Sequence, residues 1–141
     1  MDGSNPKNLV SAGSGFPWGI TIDFKTSRLL WTDYNAEIID GSNLEGGDRR
    51  TVLALSQGTY PSGIAVGNDK IYWGGLSRKV QSCTMDGNNV TTLHTDTKVI
   101  TGMTLIPDLN RPQQQHRANH CAGHSCSKVC VLTSTSSRCL T

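Results

Sequence analysis

Short apolar stretches alternate with turn-forming residues along the first hundred positions, and no stretch shows sustained helical periodicity. Residues 19–23 and 63–66 are rich in β-branched side chains, which favour strands. Residues 29–32 and 70–73 follow them as second strands and begin after polar turns. The pattern therefore predicts an all-β fold built from short strands.

Third strands are expected at residues 36–39 and 79–82. The Asp-Gly steps that follow them are expected to open tight turns towards fourth strands. Glycine accepts the positive φ that such turns require.

The strand pattern is an internal repeat, because its landmarks recur in the same order. In the sequence, 44 residues separate Pro17 from Pro61 and 42 separate Trp31 from Trp73. A degraded further copy spans residues 100–105. One tripeptide also occurs in three related forms, Met1-Asp2-Gly3, Leu44-Glu45-Gly46 and Met85-Asp86-Gly87. A period of about 40–45 residues with four strands is typical of a β-propeller blade.

Charge and composition exclude several classes of function. The 13 basic and 11 acidic residues are scattered along the chain and give a net charge of +2, which does not favour nucleic acid as a partner. No apolar run approaches the roughly 20 residues of a membrane span, so we expect membrane attachment only through segments absent from this chain. No Gly-x-Ser-x-Gly, phosphate-binding loop or His-Glu-x-x-His motif is present. We therefore predict no catalytic residue, no cofactor and no metal.

The cysteines cluster at the C-terminal end. Four of the five lie in the last 21 residues, namely Cys121, Cys126, Cys130 and Cys139. This clustering predicts a disulfide framework and an oxidising compartment, with three pairings open. Zinc is the alternative, since His116, His120 and His124 lie nearby, but no Cys-x2-Cys pair accompanies them. Cys83 stands apart and is expected to be a small buried residue.

Trp31-Thr32-Asp33 and Tyr72-Trp73, with the upstream Pro-x-Gly-Ile and the downstream Asp-Gly, resemble the YWTD repeat of low-density-lipoprotein-receptor-related proteins. The resemblance covers about residues 1–106. It implies part of a six-bladed propeller, a little over two blades, in which Trp31, Asp33, Tyr72 and Trp73 hold neighbouring blades together. Gly74-Gly75 replaces the family's Thr-Asp, so we expect the second blade to be less firmly tied.

The tail resembles the EGF-like module that follows such propellers. The resemblance implies the bridges Cys121–Cys130 and Cys126–Cys139. A fifth cysteine is expected where Thr141 stands, and the acidic residues of calcium-binding EGF modules are missing, so we expect no calcium site. The resulting domains are propeller blades over 1–110, a linker over 111–118 and a truncated EGF-like module over 119–141. Met1 is interpreted as an internal methionine of a longer receptor.

The resemblance implies a non-catalytic module that binds an extracellular protein ligand. The leading hypothesis is a receptor on the outer side of the plasma membrane, of the endocytic or Wnt co-receptor type. The alternative is a secreted basement-membrane protein similar to nidogen. Both hypotheses place the chain outside the cell, on a receptor ectodomain or in a secreted protein.

Three residues are singled out for contact or modification. Trp18, expected in a loop before a strand, is a candidate partner contact because aromatic residues dominate binding hot spots. His94, also expected in a loop, is a candidate acid-sensing contact because imidazole titrates between neutral and endosomal pH. A solvated loop histidine is the alternative. Asn89-Val90-Thr91 is an N-glycosylation sequon in a predicted turn.

Overall fold

The computed structural model describes residues 4–11, 15–95 and 98–106, and the backbone of residues 129–133 and 137–140. Every regular element in these ranges is a β-strand, which confirms the predicted all-β fold. A helix long and apolar enough to cross a membrane is not found in the ranges described.

Two four-stranded antiparallel sheets make up most of the structure, and in each the strands pair in chain order. The first sheet contains β1 (Pro17–Asp23), β2 (Arg28–Asp33), β3 (Ile38–Asn43) and β4 (Arg50–Ala54). The second sheet contains β5 (Pro61–Gly67), β6 (Lys70–Gly75), β7 (Lys79–Thr84) and β8 (Thr91–Thr95). These sheets are the two blades that the repeat predicts.

Chain-order pairing gives the sheets two distinct ends. The hairpin turns β1–β2, β3–β4, β5–β6 and β7–β8 lie at one end, which we call the turn end. The loops β2–β3 and β6–β7 lie at the opposite end with residues 55–60, which join the two sheets. We call this the linker end.

A third, three-stranded sheet begins at the degraded repeat copy. It consists of β9 (Ile100–Leu105), β10 (Val129–Thr133) and β11 (Ser137–Leu140), in the order β11-β10-β9. β10 pairs antiparallel with both neighbours, and its register places Cys130 opposite Cys139 and opposite Thr104. The cysteine-rich tail thus supplies two strands beside the first strand of a third repeat.

Some local expectations are confirmed and others are wrong. Asp86-Gly87 opens the β7–β8 turn as predicted, but Asp40-Gly41 lies inside β3, which extends to Asn43. Asp40 can remain in the strand because its buried carboxylate accepts hydrogen bonds from Arg49 (2.8 and 3.1 Å) and Thr51 (2.7 Å). Trp18 and His94, expected in loops, lie in β1 and β8.

The hydrophobic core lies between neighbouring sheets. Leu30 and Ile39 of the first sheet pack against four buried residues of the second, namely Ile64, Ile71, Trp73 and Cys83. A second cluster joins Tyr72 and Val80 to Ile100 of β9. Each sheet is therefore stabilised by contacts with the next, as expected for an array of repeats.

Two turn glycines show that residues 4–11 occupy the place of a fourth strand. Gly87 has φ +85° and lies so close to β4 that a Cβ would come 2.2 Å from the carbonyl oxygen of Val52. Gly46 has φ +87°, and its Cβ would come 1.9 Å from the carbonyl oxygen of Leu9. The backbone of Leu9 thus packs against the β3–β4 turn of the first sheet. In the same way, the backbone of Val52 in β4 packs against the β7–β8 turn of the second sheet. Residues 4–11 therefore lie where the outermost strand of a preceding blade would lie, although they form no regular strand.

The first sheet is open on the side that this preceding blade would cover. Ile20 is 66% exposed, whereas its repeat equivalent Ile64 is 4% exposed. A cavity of about 400 Å³ lies between residues 7–10 and the strands β1 and β2. In the second sheet the corresponding face is covered by Leu30 and Ile39. The described residues therefore leave this face of the first sheet uncovered.

Candidate protein-binding site

Four aromatic rings meet at the linker end, and Tyr34 contacts the other three. Its ring centroid lies 5.4 Å from that of Trp18, 6.1 Å from that of Phe16 and 5.0 Å from that of Tyr60. The rings of Phe16 and Trp18 are 5.8 Å apart. Tilted and edge-on contacts of this kind stabilise ring pairs by about 0.5–1.5 kcal/mol each beyond their buried area. We call these four residues the aromatic surface.

The aromatic surface is assembled by two sheets and the segments that lead into them. Phe16 and Tyr60 precede the equivalent strands β1 and β5, and Trp18 lies near the start of β1. Tyr34 follows β2, where its N–H donates to the carbonyl oxygen of Phe16 at 2.9 Å. Phe16 is 49% and Trp18 51% exposed, so the cluster presents apolar area to solvent.

Sequence reasoning identified Trp18 as a contact and missed Phe16 and Tyr34. A signal for Phe16 was present, since an aromatic residue precedes proline in both repeats, at Phe16-Pro17 and Tyr60-Pro61. Tyr34 has no such signal, because its repeat equivalent is Leu76. Leu76 nevertheless occupies the matching place, donating its N–H to the carbonyl oxygen of Tyr60 at 3.3 Å.

Asp33 anchors the segment that leads into the first sheet. Both oxygens of its buried carboxylate accept the N–H of Phe16 at 3.1 Å, and one oxygen also accepts the N–H of Ala36 at 2.9 Å. These partners belong to its own repeat. Contact with the neighbouring sheet comes instead from Thr32, whose hydroxyl lies 3.4 Å from the carbonyl oxygen of Ser62.

The second sheet uses backbone groups where the first uses Asp33. Gly75 occupies the equivalent position, and the chain there is held by the N–H of Ser77, which donates to the carbonyl oxygen of Thr59 at 3.3 Å. Ser62 adds a short hydrogen bond to the carbonyl oxygen of Ile100 in β9. The second sheet therefore has ties of its own although the family's aspartate is absent.

The remaining aromatic candidates lie in the sheets rather than at the linker end. Trp73 is buried in the cluster shared by both sheets, and Tyr72 faces β9, where burial raises the pKa of its hydroxyl. Trp31 is buried beneath the guanidinium of Arg49, which lies 5.4 Å from the ring centroid. None of the three contributes to the aromatic surface.

His94 and Asn89 lie at opposite ends of the outermost strand region. His94 pairs with Val80 and is half-buried, and its Nε2 is buried without a hydrogen-bond partner among the residues that the structure describes. Asn89 is exposed in the β7–β8 turn with φ +54°. Its sequon is therefore accessible at the turn end, away from the aromatic surface.

Ion pairs are concentrated at the turn end. The exposed Lys25–Asp69 pair (2.5 Å) links the β1–β2 and β5–β6 turns, and the hydrogen bond that Lys25 donates to Asp69 raises the pKa of Lys25. The Arg28–Asp48 pair (2.7 Å) lowers the pKa of Asp48, chiefly through the hydrogen bond from Arg28. The turn end therefore carries charged residues that are paired with one another, whereas the exposed apolar cluster is at the linker end.

Only some of the cysteines for which the sequence made predictions lie among the described residues. Cys121 and Cys126 lie outside the described residues, as do His116, His120 and His124. The structure describes the backbone but not the side chains of Cys130 and Cys139. Cys83 is buried with a free thiol. Within the described ranges, no group of three or more His, Cys, Asp or Glu side chains is arranged to hold a metal ion.

Comparisons with known proteins agree with the fold. No protein-family model matches the chain. The vitellogenin receptor of Solenopsis invicta is 32% identical over 143 residues, which cover 94% of this chain and 7% of that receptor. The vitellogenin receptor Yl of Drosophila melanogaster is 29% identical and covers 94% of the chain. Mouse low-density lipoprotein receptor-related protein 5 is 37% identical over 52% of the chain.

Solved propeller structures have the same architecture. A chain of the nidogen/laminin complex superposes with a TM-score of 0.58 and 25% identity, covering 64% of this chain and 36% of that one. Virginiamycin B lyase from Staphylococcus aureus gives a TM-score of 0.55 at 18% identity over 68% of this chain, a likeness of fold alone. The chain spans less than a tenth of the two vitellogenin receptors, 7% and 6% of their lengths.

Proposed function

The chain belongs to the low-density-lipoprotein-receptor-related family of YWTD propeller proteins, and from that premise we propose that its aromatic surface binds a protein partner outside the cell. The chain itself is an extracellular, receptor-type module, since the family members it resembles are cell-surface receptors. The proposed role is binding without catalysis.

The observation that carries this proposal is the group of four aromatic rings at the linker end, to which Trp18 contributes from the start of β1. In the second sheet the same repeat position is Ser62, which is small, buried and hydrogen-bonded to β9. In the first sheet the position is a tryptophan that is 51% exposed and adjoins two further rings, those of Phe16 and Tyr34. A contiguous exposed apolar patch on a soluble protein typically marks an interaction site, and Trp and Tyr are the residues that most often dominate binding energy.

The relatives suggest two classes of partner. Two are vitellogenin receptors that match nearly the whole chain, which favours a receptor, of the endocytic type, whose partner is vitellogenin. The nidogen/laminin structure supports the alternative of a secreted matrix protein with a laminin-type partner. The other type of receptor proposed is a Wnt co-receptor, and the likeness to low-density lipoprotein receptor-related protein 5 supports it.

Surface plasmon resonance on the full extracellular protein tests the proposal, with purified vitellogenin and purified laminin as probes. The informative variant is Trp18→Ser, which installs the side chain of the second repeat. The control is Phe24→Ser, because Phe24 is 83% exposed but lies at the turn end. We expect one probe to bind, Trp18→Ser to weaken that binding by about thirtyfold, and Phe24→Ser to leave it unchanged.

The probe that binds decides between the receptor and the matrix protein. Equal binding by the wild type and Trp18→Ser would remove the aromatic surface from the proposal. Failure of both probes to bind the wild-type protein would exclude both the vitellogenin-type and the laminin-type partner.

Among the other candidates, the geometry supports Trp18 over His94 as a contact. His94 lies in the outermost strand, with Nε2 buried rather than presented to a partner. We therefore assign binding to the aromatic surface and no contact to His94. Trp31, Tyr72 and Trp73 are proposed to act in packing between blades, which their burial supports. The bridges Cys121–Cys130 and Cys126–Cys139 and the EGF-like domain limits remain part of the proposal.

Asn89 is proposed to carry an N-glycan. Its exposed turn position leaves the side chain accessible, and its distance from the linker end leaves the aromatic surface uncovered. Protein secreted from eukaryotic cells is expected to carry glycan on the peptide that contains Asn89, read by mass spectrometry before and after glycosidase treatment. Thr91→Ala should abolish it. An unmodified Asn89 in the wild-type secreted protein would show that the assignment is wrong.

A further inference from the structure

The segments that lead into the two sheets are each held by a carboxylate, although the repeat supplies only one of them. Asp33 accepts the N–H of Phe16 with both oxygens at 3.1 Å. Glu37 accepts the N–H of Gly58 with both oxygens at 2.9 Å. Hydrogen bonds to an ionised acceptor are roughly twice as strong as those between neutral groups. Glu37 thus does for residues 55–60 what Asp33 does for the segment before β1.

The second sheet has no room for a carboxylate of its own at this place. Gly75 is the repeat equivalent of Asp33, and a Cβ on it would come 2.2 Å from the carbonyl oxygen of Tyr60 and 2.9 Å from Cα of Pro61. These are backbone atoms, so a side chain at position 75 would displace the linker instead of holding it. An anchor for this linker must come from elsewhere, and Glu37 reaches it from the first sheet.

Glu37 holds the linker at two points. Its carbonyl oxygen accepts the N–H of Leu55 at 2.9 Å, while its carboxylate holds Gly58. Around Gly58, the N–H and hydroxyl of Thr59 both donate to the carbonyl oxygen of Ser56, which closes a compact turn. The turn delivers Tyr60, at φ +42°, with its ring centroid 5.0 Å from that of Tyr34.

We infer that Glu37 is the positioning residue that holds Tyr60 in the aromatic surface, in place of the aspartate that the second repeat lacks. The role is particular to this linker. The repeat equivalent of Glu37 is Arg78, which shares its positive φ (54° and 60°) but has no oxygen acceptor in its side chain. The inference rests on the proposed binding function, because it assigns Glu37 to that surface.

Two measurements on the full extracellular protein test the inference, with Glu37→Gln as the variant. Glutamine keeps the shape but loses the charge and one acceptor oxygen. We expect hydrogen exchange of the amides in residues 55–60 to become about tenfold faster. Affinity for whichever probe binds the wild type, vitellogenin or laminin, should fall about tenfold. Glu45→Gln is the matched control, since Glu45 is exposed and pairs only loosely with Lys7 at 3.6 Å.

A double-mutant cycle separates positioning from general stability. In a Tyr60→Ala background, Glu37→Gln should cause no further loss of affinity, because no ring is left to position. Unchanged exchange in residues 55–60, or an equal loss in both backgrounds, would overturn the inference. If Trp18→Ser and Tyr60→Ala weaken binding while Glu37→Gln does not, the inference fails and the proposed function stands. If none of the three weakens binding, the proposed function fails.

Discussion

Trp31 and Trp73 occupy the same repeat position and are both buried, but by different means. Trp73 lies among aliphatic side chains from both sheets. Trp31 is covered by Arg49, whose guanidinium also hydrogen-bonds Asp40 (2.8 Å) and the carbonyl oxygen of Ser11 (2.7 Å). A cation over an indole is worth roughly 0.5–2 kcal/mol, depending on its desolvation. Arg49 thereby protects the face of Trp31 and ties residues 4–11 to the first sheet.

Cys83 is predicted to be unreactive in the native protein. It is 1% exposed in the core between the sheets, and burial raises the pKa of its thiol from 9.0 to about 11. Because the thiolate is the nucleophile, a maleimide or disulfide reagent at pH 8 should leave Cys83 unmodified until a denaturant is added. Peptide mass spectrometry reads the labelling directly. Labelling of the native protein as fast as that of the denatured protein would contradict the packing.

The raised pKa of Cys83 also sets a direction for stability against pH. The folded state favours the protonated thiol, so its stability is intact below about pH 9. It is lost as the pH rises through the folded value of about 11, where the buried thiol must ionise.

The sequence identified Asp33 but not Glu37, and the reason is physical. Asp33 belongs to a repeat motif whose role the family resemblance carries. Glu37 acts only because its backbone has φ +54° and because residues 55–60 curl into a turn within its reach. Neither condition can be predicted from the local sequence, because glutamate is not a residue that prefers a positive φ.

At the scale of elements, alanine substitutions at two turn glycines distinguish the cost of backbone strain from the cost of a steric clash. Gly58 and Gly87 have nearly the same φ, +84° and +85°, so alanine at either position should cost about 1–2 kcal/mol of strain. A Cβ at Gly58 meets nothing within 4 Å, whereas one at Gly87 would come 2.2 Å from the carbonyl oxygen of Val52. Gly87→Ala should therefore lower the unfolding temperature clearly more than Gly58→Ala, measured by calorimetry on the full extracellular protein. Equal shifts would show that the β7–β8 turn does not press on β4.

Elements with repeated chemistry were predictable, and those set by a single contact were not. Strand order followed from the recurrence of Pro17 and Trp31 as Pro61 and Trp73. The extent of β3 did not, because Asp40-Gly41 is a turn signal by composition and remains in the strand only through its bonds to Arg49 and Thr51. The pairing of β10 with β9 was likewise not expected, since it joins residues separated by more than 20 positions of different composition.

At the scale of the whole molecule, the open face of the first sheet predicts a neighbour. Ile20 is 66% exposed here, but its equivalent Ile64 is buried by the preceding sheet. Within a full propeller, Ile20→Asp should therefore be about as destabilising as Ile64→Asp, since both would bury an unpaired charge. Phe24→Asp is the control, because the turn end stays in solvent.

Thermal unfolding and secretion yield of the full extracellular protein measure this prediction. We expect Ile20→Asp and Ile64→Asp to lower both to a similar degree and Phe24→Asp to change neither. A protein that tolerates Ile20→Asp as well as Phe24→Asp would show that no blade covers the first sheet.

The architecture was accessible from sequence, but the aromatic surface was not. Phe16, Trp18, Tyr34 and Tyr60 are spread over 45 residues, and they meet only because two sheets stand side by side with their linkers at the same end. Trp18 was a reasonable candidate from composition alone. Its grouping with Tyr34 depends on the β1–β2 register, in which Pro17 faces Asp33.

Hydroxyl-radical footprinting of the full extracellular protein tests whether the aromatic surface is a protein-binding site. The measurement compares the free protein with its complex with whichever probe binds, vitellogenin or laminin. We predict that Phe16, Trp18 and Tyr34 are oxidised readily in the free protein and protected in the complex, while Phe24 is oxidised equally in both. Protection of Phe24 with continued oxidation of Trp18 would contradict the claim and place the partner at the turn end.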